Sequence, residues 1–131
     1  MPDRPEPTQE PLIIPESRLL EYLNLIFRTT HDYTVEIING TYTTFDEIDV
    51  LYKQVGQPYP ERLTQGPLGP GETLHFNLGP CFTMERYNVG FFVDPFLVAQ
   101  VPPEGGYVTP DTKRDAEPCA DSWEIFDNGV T

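Results

Sequence analysis

Positive charge is scarce in this chain of 131 residues. Eight Lys and Arg stand against 21 Asp and Glu, for a net charge of −13. Such a surface repels the phosphates of nucleic acids and of anionic membranes, so neither is expected as a direct partner. A basic protein is the macromolecule this charge would attract. Cysteine is scarce too, with Cys81 and Cys119 alone. Two residues give no disulfide framework to read; pairing stays open, with two free thiols in a reducing compartment the expected state. No apolar run approaches the roughly 18 residues of a membrane helix. The N-terminus lacks a basic and apolar leader, which makes a cytoplasmic location the default expectation. Also missing are Gly-x-Gly-x-x-Gly, a Walker loop, Gly-x-Ser-x-Gly and Cys-x-x-Cys, so no motif commits to a chemistry. The chain reads as a non-enzyme without a cofactor.

What is present suits a folded body. Apolar residues make up 38% of the chain, with 15 Phe and Tyr beside a single Trp. The length fits one domain, large enough to bury a real core. Fifteen Pro and ten Gly place much of the chain outside regular elements.

The organising stretch is Pro15 to Gly56. Ser17 suits an N-cap, and Leu19, Leu20, Leu23, Ile26 and Phe27 recur at three- and four-residue steps that share one helical face. A stripe this wide is the usual core face, so a helix docked on its own sheet is expected, with a partner-binding helix the competing reading. Tyr33–Ile38 and Thr41–Phe45 are β-branched and aromatic, separated by Asn39-Gly40. That dipeptide accepts a type I′ turn, which predicts a tight hairpin. Asn39-Gly40-Thr41 is also a glycosylation sequon; the turn explains the same residues without sugar. Thr44-Phe45-Asp46-Glu47 fits a capping box, and Phe45, Ile48, Leu51, Tyr52 and Val55 continue with helical period up to Gly56 and Pro58. A second helix is expected there. The alternative is a strand with Ile48, Val50 and Tyr52 on one face. Asp46, Glu47 and Asp49 are then favourable charge at a helix N-terminus, since the spacing of an EF-hand loop is missing.

Further along, Leu74, Phe76 and Leu78 alternate as a half-buried strand should. Leu68-x-Pro70-Gly71-Glu72-Thr73 ahead of them resembles the turn that leads into a strand in β-sandwich domains, over too few residues to name a family. Cys81–Arg86 and Val89–Val98 read as two more strands. Pro95 inside the second marks an edge strand, a bulge, or two strands around Asp94-Pro95. Trp123, Ile125 and Phe126 suit one last strand or anchor.

The expected fold is α+β: two helices packed on a mainly antiparallel sheet, with a proline-rich arm at 1–15, a compact body at 16–98 and an acidic, largely irregular tail at 99–131. A proline-rich arm has no local structure to hold itself and is expected to lie on a surface, of this domain or of a neighbouring chain. Leu12, Ile13 and Ile14 are its apolar anchor, and Trp123 the counterpart in the tail. Three chemical sites are weighed against this. His75, Cys81 and Met84 are the residue types of a cupredoxin-like copper site, but no second histidine follows Cys81. Cys81 with His75 or His31 would need a proximity that spacing does not establish. Glu85 and Asp94 are one carboxylate pair among many. The functional expectation is a non-catalytic subunit of a larger assembly, in particular a virus or phage particle, with neighbouring protein subunits as partners. An acidic inhibitor or DNA mimic is the alternative, and a small ligand-binding domain or enzyme the third reading.

Overall fold

A computed structural model describes residues 16–110, 119–127 and 129–130. Among these, a helix α1 (Glu16–Thr30) precedes eight strands: β1 (Asp32–Asn39), β2 (Glu47–Gln54), β3 (Glu61–Gln65), β4 (Thr73–Pro80), β5 (Met84–Val93), β6 (Phe96–Val101), β7 (Ala120–Phe126) and β8 (Gly129–Val130). They form two four-stranded sheets in the orders β4-β1-β7-β8 and β3-β2-β5-β6. The described residues form a β-sandwich with one helix, which overturns the expectation of two helices on a single sheet.

The corrections have local causes. Asn39-Gly40 does not close a hairpin. β1 pairs with β4 on one side, antiparallel, and with β7 on the other, parallel. Asn39 is buried, and its side chain organises a crossing loop. Its amide donates to the Thr43 carbonyl (2.8 Å) and the Leu68 carbonyl (3.1 Å), while its oxygen accepts from the Thr41 backbone (2.9 Å) and hydroxyl (2.7 Å). These bonds occupy the asparagine that the sequon would need free. Gly40 lacks a positive φ. It is small because a Cβ there would come within 2.9 Å of the Ile125 carbonyl, and its own N–H donates to that oxygen at 2.7 Å. Phe45, bridged to Leu68, then brings the chain into the second sheet.

The expected second helix is strand β2, the alternative the sequence offered. Ile48, Val50 and Tyr52 enter the core at every second residue, a period that burial between two sheets rewards more than the helical one. Within the stretch that imitated a capping box, Asp46 serves a strand turn instead. Asp46 Oδ2 accepts from the Asp94 backbone N–H at 2.8 Å, holding the β5–β6 turn. Gly56 does adopt a positive φ of 92°, in a turn after β2. Asp94-Pro95 separates β5 from β6, so the dense apolar run is two strands.

The two sheets meet over Tyr33, Val35 and Ile37 of β1, Phe76 and Leu78 of β4, Ile48 and Val50 of β2, and Tyr87, Val89 and Phe91 of β5, all essentially inaccessible. Phe45 packs edge-on against Phe91 with ring centres 5.3 Å apart. Part of the stretch read as an irregular tail belongs inside this structure, since β7 runs between β1 and β8 with Ile125 in the core. The two cysteines are not free thiols. Cys81, just after β4, is bonded to Cys119, just before β7. The link spans the strand between them, because β1 lies in the middle of that trio and Thr34 N–H donates to the Cys119 carbonyl at 2.9 Å.

Candidate interaction surface

The apolar stripe of α1 forms as its spacing predicts, but it does not dock on the sandwich. Phe27 is the member of the stripe that reaches the core cluster. Leu19, Leu20, Leu23 and Ile26 remain 40–51% exposed, and Tyr22 and Leu25 are similarly open. The helix is held at its C-terminal end. The His31 ring stacks on Phe27 with centroids 3.7 Å apart, the His31 carbonyl accepts from the Cys81 N–H at 3.1 Å, and the Arg28 guanidinium lies 5.7 Å over the Phe82 ring. The Thr29 and Thr30 hydroxyls turn back onto helix carbonyls of the preceding turn. An isolated helix of about 12–15 residues is marginal in water, and most helices owe their stability to a packed face. Here that face is open among the described residues.

Three polar groupings are the other candidates, each built by strand alternation. Inside the sandwich, Tyr33 and Tyr87 donate their hydroxyls to Asp121 Oδ2, the second at 2.6 Å, and the Trp123 indole N–H donates to the Tyr87 oxygen at 2.7 Å. This network joins the two sheets. Burial, with the Asp121 carboxylate as the next cause, pushes the Tyr87 hydroxyl far above the ordinary tyrosine range, so it stays a neutral donor instead of serving as a base or nucleophile. On the outer face of the first sheet, Glu36 accepts from the Ser122 hydroxyl at 2.7 Å and pairs with His75 Nε2 at 3.1 Å. Those bonds, the Ser122 one foremost, hold the Glu36 carboxyl below its usual range. The residue types are those of a hydrolytic triad in the wrong order. The carboxylate sits between serine and histidine, so the histidine is paired with Glu36 and not with the hydroxyl. On the outer face of the second sheet, Asp46, Glu47, Asp49 and Asp94 border a concavity of about 370 Å³ with Arg62. A hydrogen bond with Asp49, then burial, then the charges of Asp49 and Asp94 raise the Glu47 carboxyl. Asp49 is engaged by Thr64 (3.0 Å) and Arg62 (3.6 Å).

The residues singled out from the sequence are scattered. Leu12, Ile13 and Ile14 lie outside the described residues. Trp123 is half-buried on β7 within the polar network. The soft-ligand trio is not assembled. Cys81 sulfur is bonded to Cys119, Met84 is buried with its sulfur 3.7 Å from the Gln54 amide, and His75 is exposed on β4 beside Glu36. The disulfide removes the thiolate that copper or nucleophilic chemistry requires. Glu85 pairs with Lys53 and Arg86, and Asp94 lies beside Asp46, so those two carboxylates do not meet. No group of three or more His, Cys, Asp or Glu among the described residues is placed to hold a metal ion. No helix among them is long and apolar enough to cross a membrane. Sequence reasoning missed the Tyr33–Asp121–Tyr87–Trp123 network. Its signal was Asp121, Trp123 and Ile125 at alternate positions, a strand face on which the sequence reading placed Trp123 and Ile125 but not Asp121.

Comparison with known proteins adds little chemistry. No known family matches the sequence, and no curated protein matches it either. Among solved structures, the chain is similar to one described as the NMR structure of the protein from Eubacterium rectale. The two share 16% identity over 80% of this chain and 91% of the other, with a TM-score of 0.46.

Proposed function

We propose that the protein is a non-catalytic subunit of a larger protein assembly, docking through the open face of α1. One observation carries the reading: Leu19, Leu20, Leu23 and Ile26 are left 40–51% exposed on a helix that the sandwich grips only at one end. Burying these four side chains in an apolar groove of a neighbouring subunit is the helix-in-groove mode of recognition. It would stabilise both the contact and the helix. A virus or phage particle is the narrower form of the proposal. The disulfide favours surroundings more oxidising than a cytoplasm, which suits an exposed particle surface.

An acidic mimic asks for rows of free carboxylates. The cluster on the second sheet instead engages Asp46 and Asp49 in bonds within the chain, which supports the mimic less well. The test is affinity co-purification from the native source at moderate salt, comparing the wild type with Leu19→Glu/Leu23→Glu and with a chain shortened to begin at Ser17. Partners lost from the double variant, with its circular dichroism otherwise unchanged, support docking through α1. Partners retained by the double variant would refute it.

A further inference from the structure

Among the described residues the sandwich has four edge strands, and they are not alike. β3 carries Glu61, Arg62, Thr64 and Gln65 along Glu61–Gln65, the charged and polar dressing that keeps an edge from pairing with strangers. β4 is flanked by α1 at one end and carries His75 and Asn77, both in hydrogen bonds. β8 spans two residues. β6 is bare. Phe96-Leu97-Val98-Ala99-Gln100-Val101 contains no charged residue, and Phe96, Leu97 and Val98 are 69%, 51% and 51% exposed. β5 pairs with one side of it. No described strand lies along the other, so alternate N–H and C=O groups of β6 point outward.

Beside this edge the sandwich opens. Leu97, Ala99 and Gln100 of β6 face Ile125, Phe126 and Asp127 at the end of β7 across a groove of about 390 Å³. Leu97 also borders the neighbouring concavity that contains Asp49 and Arg62. The geometry points to β6 as a strand-addition site, which takes an extended segment of a partner protein. The added strand would hydrogen-bond along β6 and place alternate apolar side chains over the groove. The charge around the edge selects the partner. Asp94 stands two residues before Phe96, Asp46 holds the same turn, and Asp127 lines the groove. A second copy would bring another chain of net charge −13 against these groups and be repelled. A β-branched segment flanked by Lys or Arg is attracted instead. This surface is distinct from the α1 face, which contacts β4, an edge strand of the other sheet.

The experiment uses the full chain and a capped synthetic peptide that alternates lysine with valine and isoleucine. Binding is followed by fluorescence anisotropy, and backbone amides by hydrogen exchange. Saturable binding is expected, with amides of 96–101 gaining protection. Versions of the peptide N-methylated at alternate amides, in both registers, should differ. The one that removes the bonding edge should bind about tenfold or more weakly, the equivalent of one or two hydrogen bonds. Leu97→Lys should weaken binding by a similar factor while leaving the circular dichroism intact, and added salt should weaken it further. The proposal is overturned by any of four results: no saturable binding up to about 1 mM, both N-methylated peptides binding as well as the parent, Leu97→Lys binding unchanged, or amides of 96–101 already protected without peptide. In the last case, a protection that grows with protein concentration would assign the edge to a second copy, and one independent of concentration to the chain itself. Leu19→Glu/Leu23→Glu should leave peptide binding unaltered, so failure here and failure at α1 are read separately.

Discussion

β5 and α1 carry comparable apolar content and meet opposite fates. On β5, Met84, Tyr87, Val89 and Phe91 are buried between the sheets. On α1, Leu19, Leu20, Leu23 and Ile26 form an equally regular stripe and stay open to solvent. Periodicity thus defines a face and says nothing of what covers it. A strand in a sandwich gains its cover from the facing sheet and its hydrogen bonds from neighbours. A helix satisfies its own backbone, so it can persist on the surface with its apolar side waiting.

The sharpest way to break this contrast is to truncate both faces. Phe91→Ala should cost about 3–5 kcal/mol, because a large inaccessible ring leaves a cavity behind. Leu23→Ala should change stability by no more than about 0.5 kcal/mol, as expected of a half-exposed position. Urea unfolding of the two variants measures both. A Leu23→Ala cost approaching that of Phe91→Ala would mean that α1 is packed in solution and would end the proposal that it docks elsewhere.

Next in size is the covalent tie. Cys81–Cys119 closes a separation of 38 residues and binds β4 to β7 across β1. Its loss should cost about 2–4 kcal/mol, the usual worth of a native disulfide. The fall in unfolding midpoint on adding reductant and the fall in Cys81→Ala/Cys119→Ala should agree. Midpoints that do not move would show that β7 is held by its ladder with β1 alone.

The Tyr87 hydroxyl comes third. Tyr87→Phe removes a donor to Asp121 and leaves the Trp123 N–H without its acceptor, a loss of about 1–3 kcal/mol. The same residue sets a pH limit. Its folded-state pKa is raised, so fold stability favours the protonated hydroxyl. That contribution is complete below the unfolded value, about 10, and drains away as pH rises beyond it. The wild type should therefore lose stability above about pH 10 more steeply than Tyr87→Phe. Parallel alkaline curves would contradict the assignment.

Single elements were legible although the fold class was not, and where the reading failed, a local signal had two physical causes. The helix with the Leu19–Phe27 stripe and the strand through Leu74, Phe76 and Leu78 follow from periodicity, and Trp123 with Ile125 gave a last strand as one of two readings. Asn39-Gly40 misled because both residues meet demands unrelated to turn dihedrals: Asn39 supplies buried hydrogen bonds, and Gly40 permits close approach to Ile125. Thr44 to Glu47 misled because the spacing of a helix cap falls by chance on a stretch entering β2, where Asp46 holds a strand turn. The disulfide and the buried network join residues dozens apart, a proximity created by topology and invisible to spacing. Of the surface, the α1 stripe was read and its exposure was not. The bareness of β6 was invisible until the sheet order identified it as an edge.

The smallest expected effect tests whether the acidic cluster beside that edge is a strained element of the sandwich or a neutral ornament. Glu47 and Asp49 alternate onto the outer face of β2, and a hydrogen bond between them, more than burial or the charge of Asp49 and Asp94, raises the Glu47 carboxyl. A raised carboxyl contributes stability below its unfolded value and loses it as pH climbs through the folded value. Once Glu47 ionises as pH climbs, the cluster repels itself. Glu47→Gln keeps a donor for Asp49 at every pH and removes one charge. The variant should then have a slightly higher unfolding midpoint than the wild type at pH 7. The gain should shrink in high salt, because exposed charges are screened. It should vanish below about pH 4, where the wild-type carboxyl is itself protonated. A gain that survives at low pH would mean the substitution acts through packing, and equal midpoints at pH 7 would mean that Arg62 already offsets the repulsion.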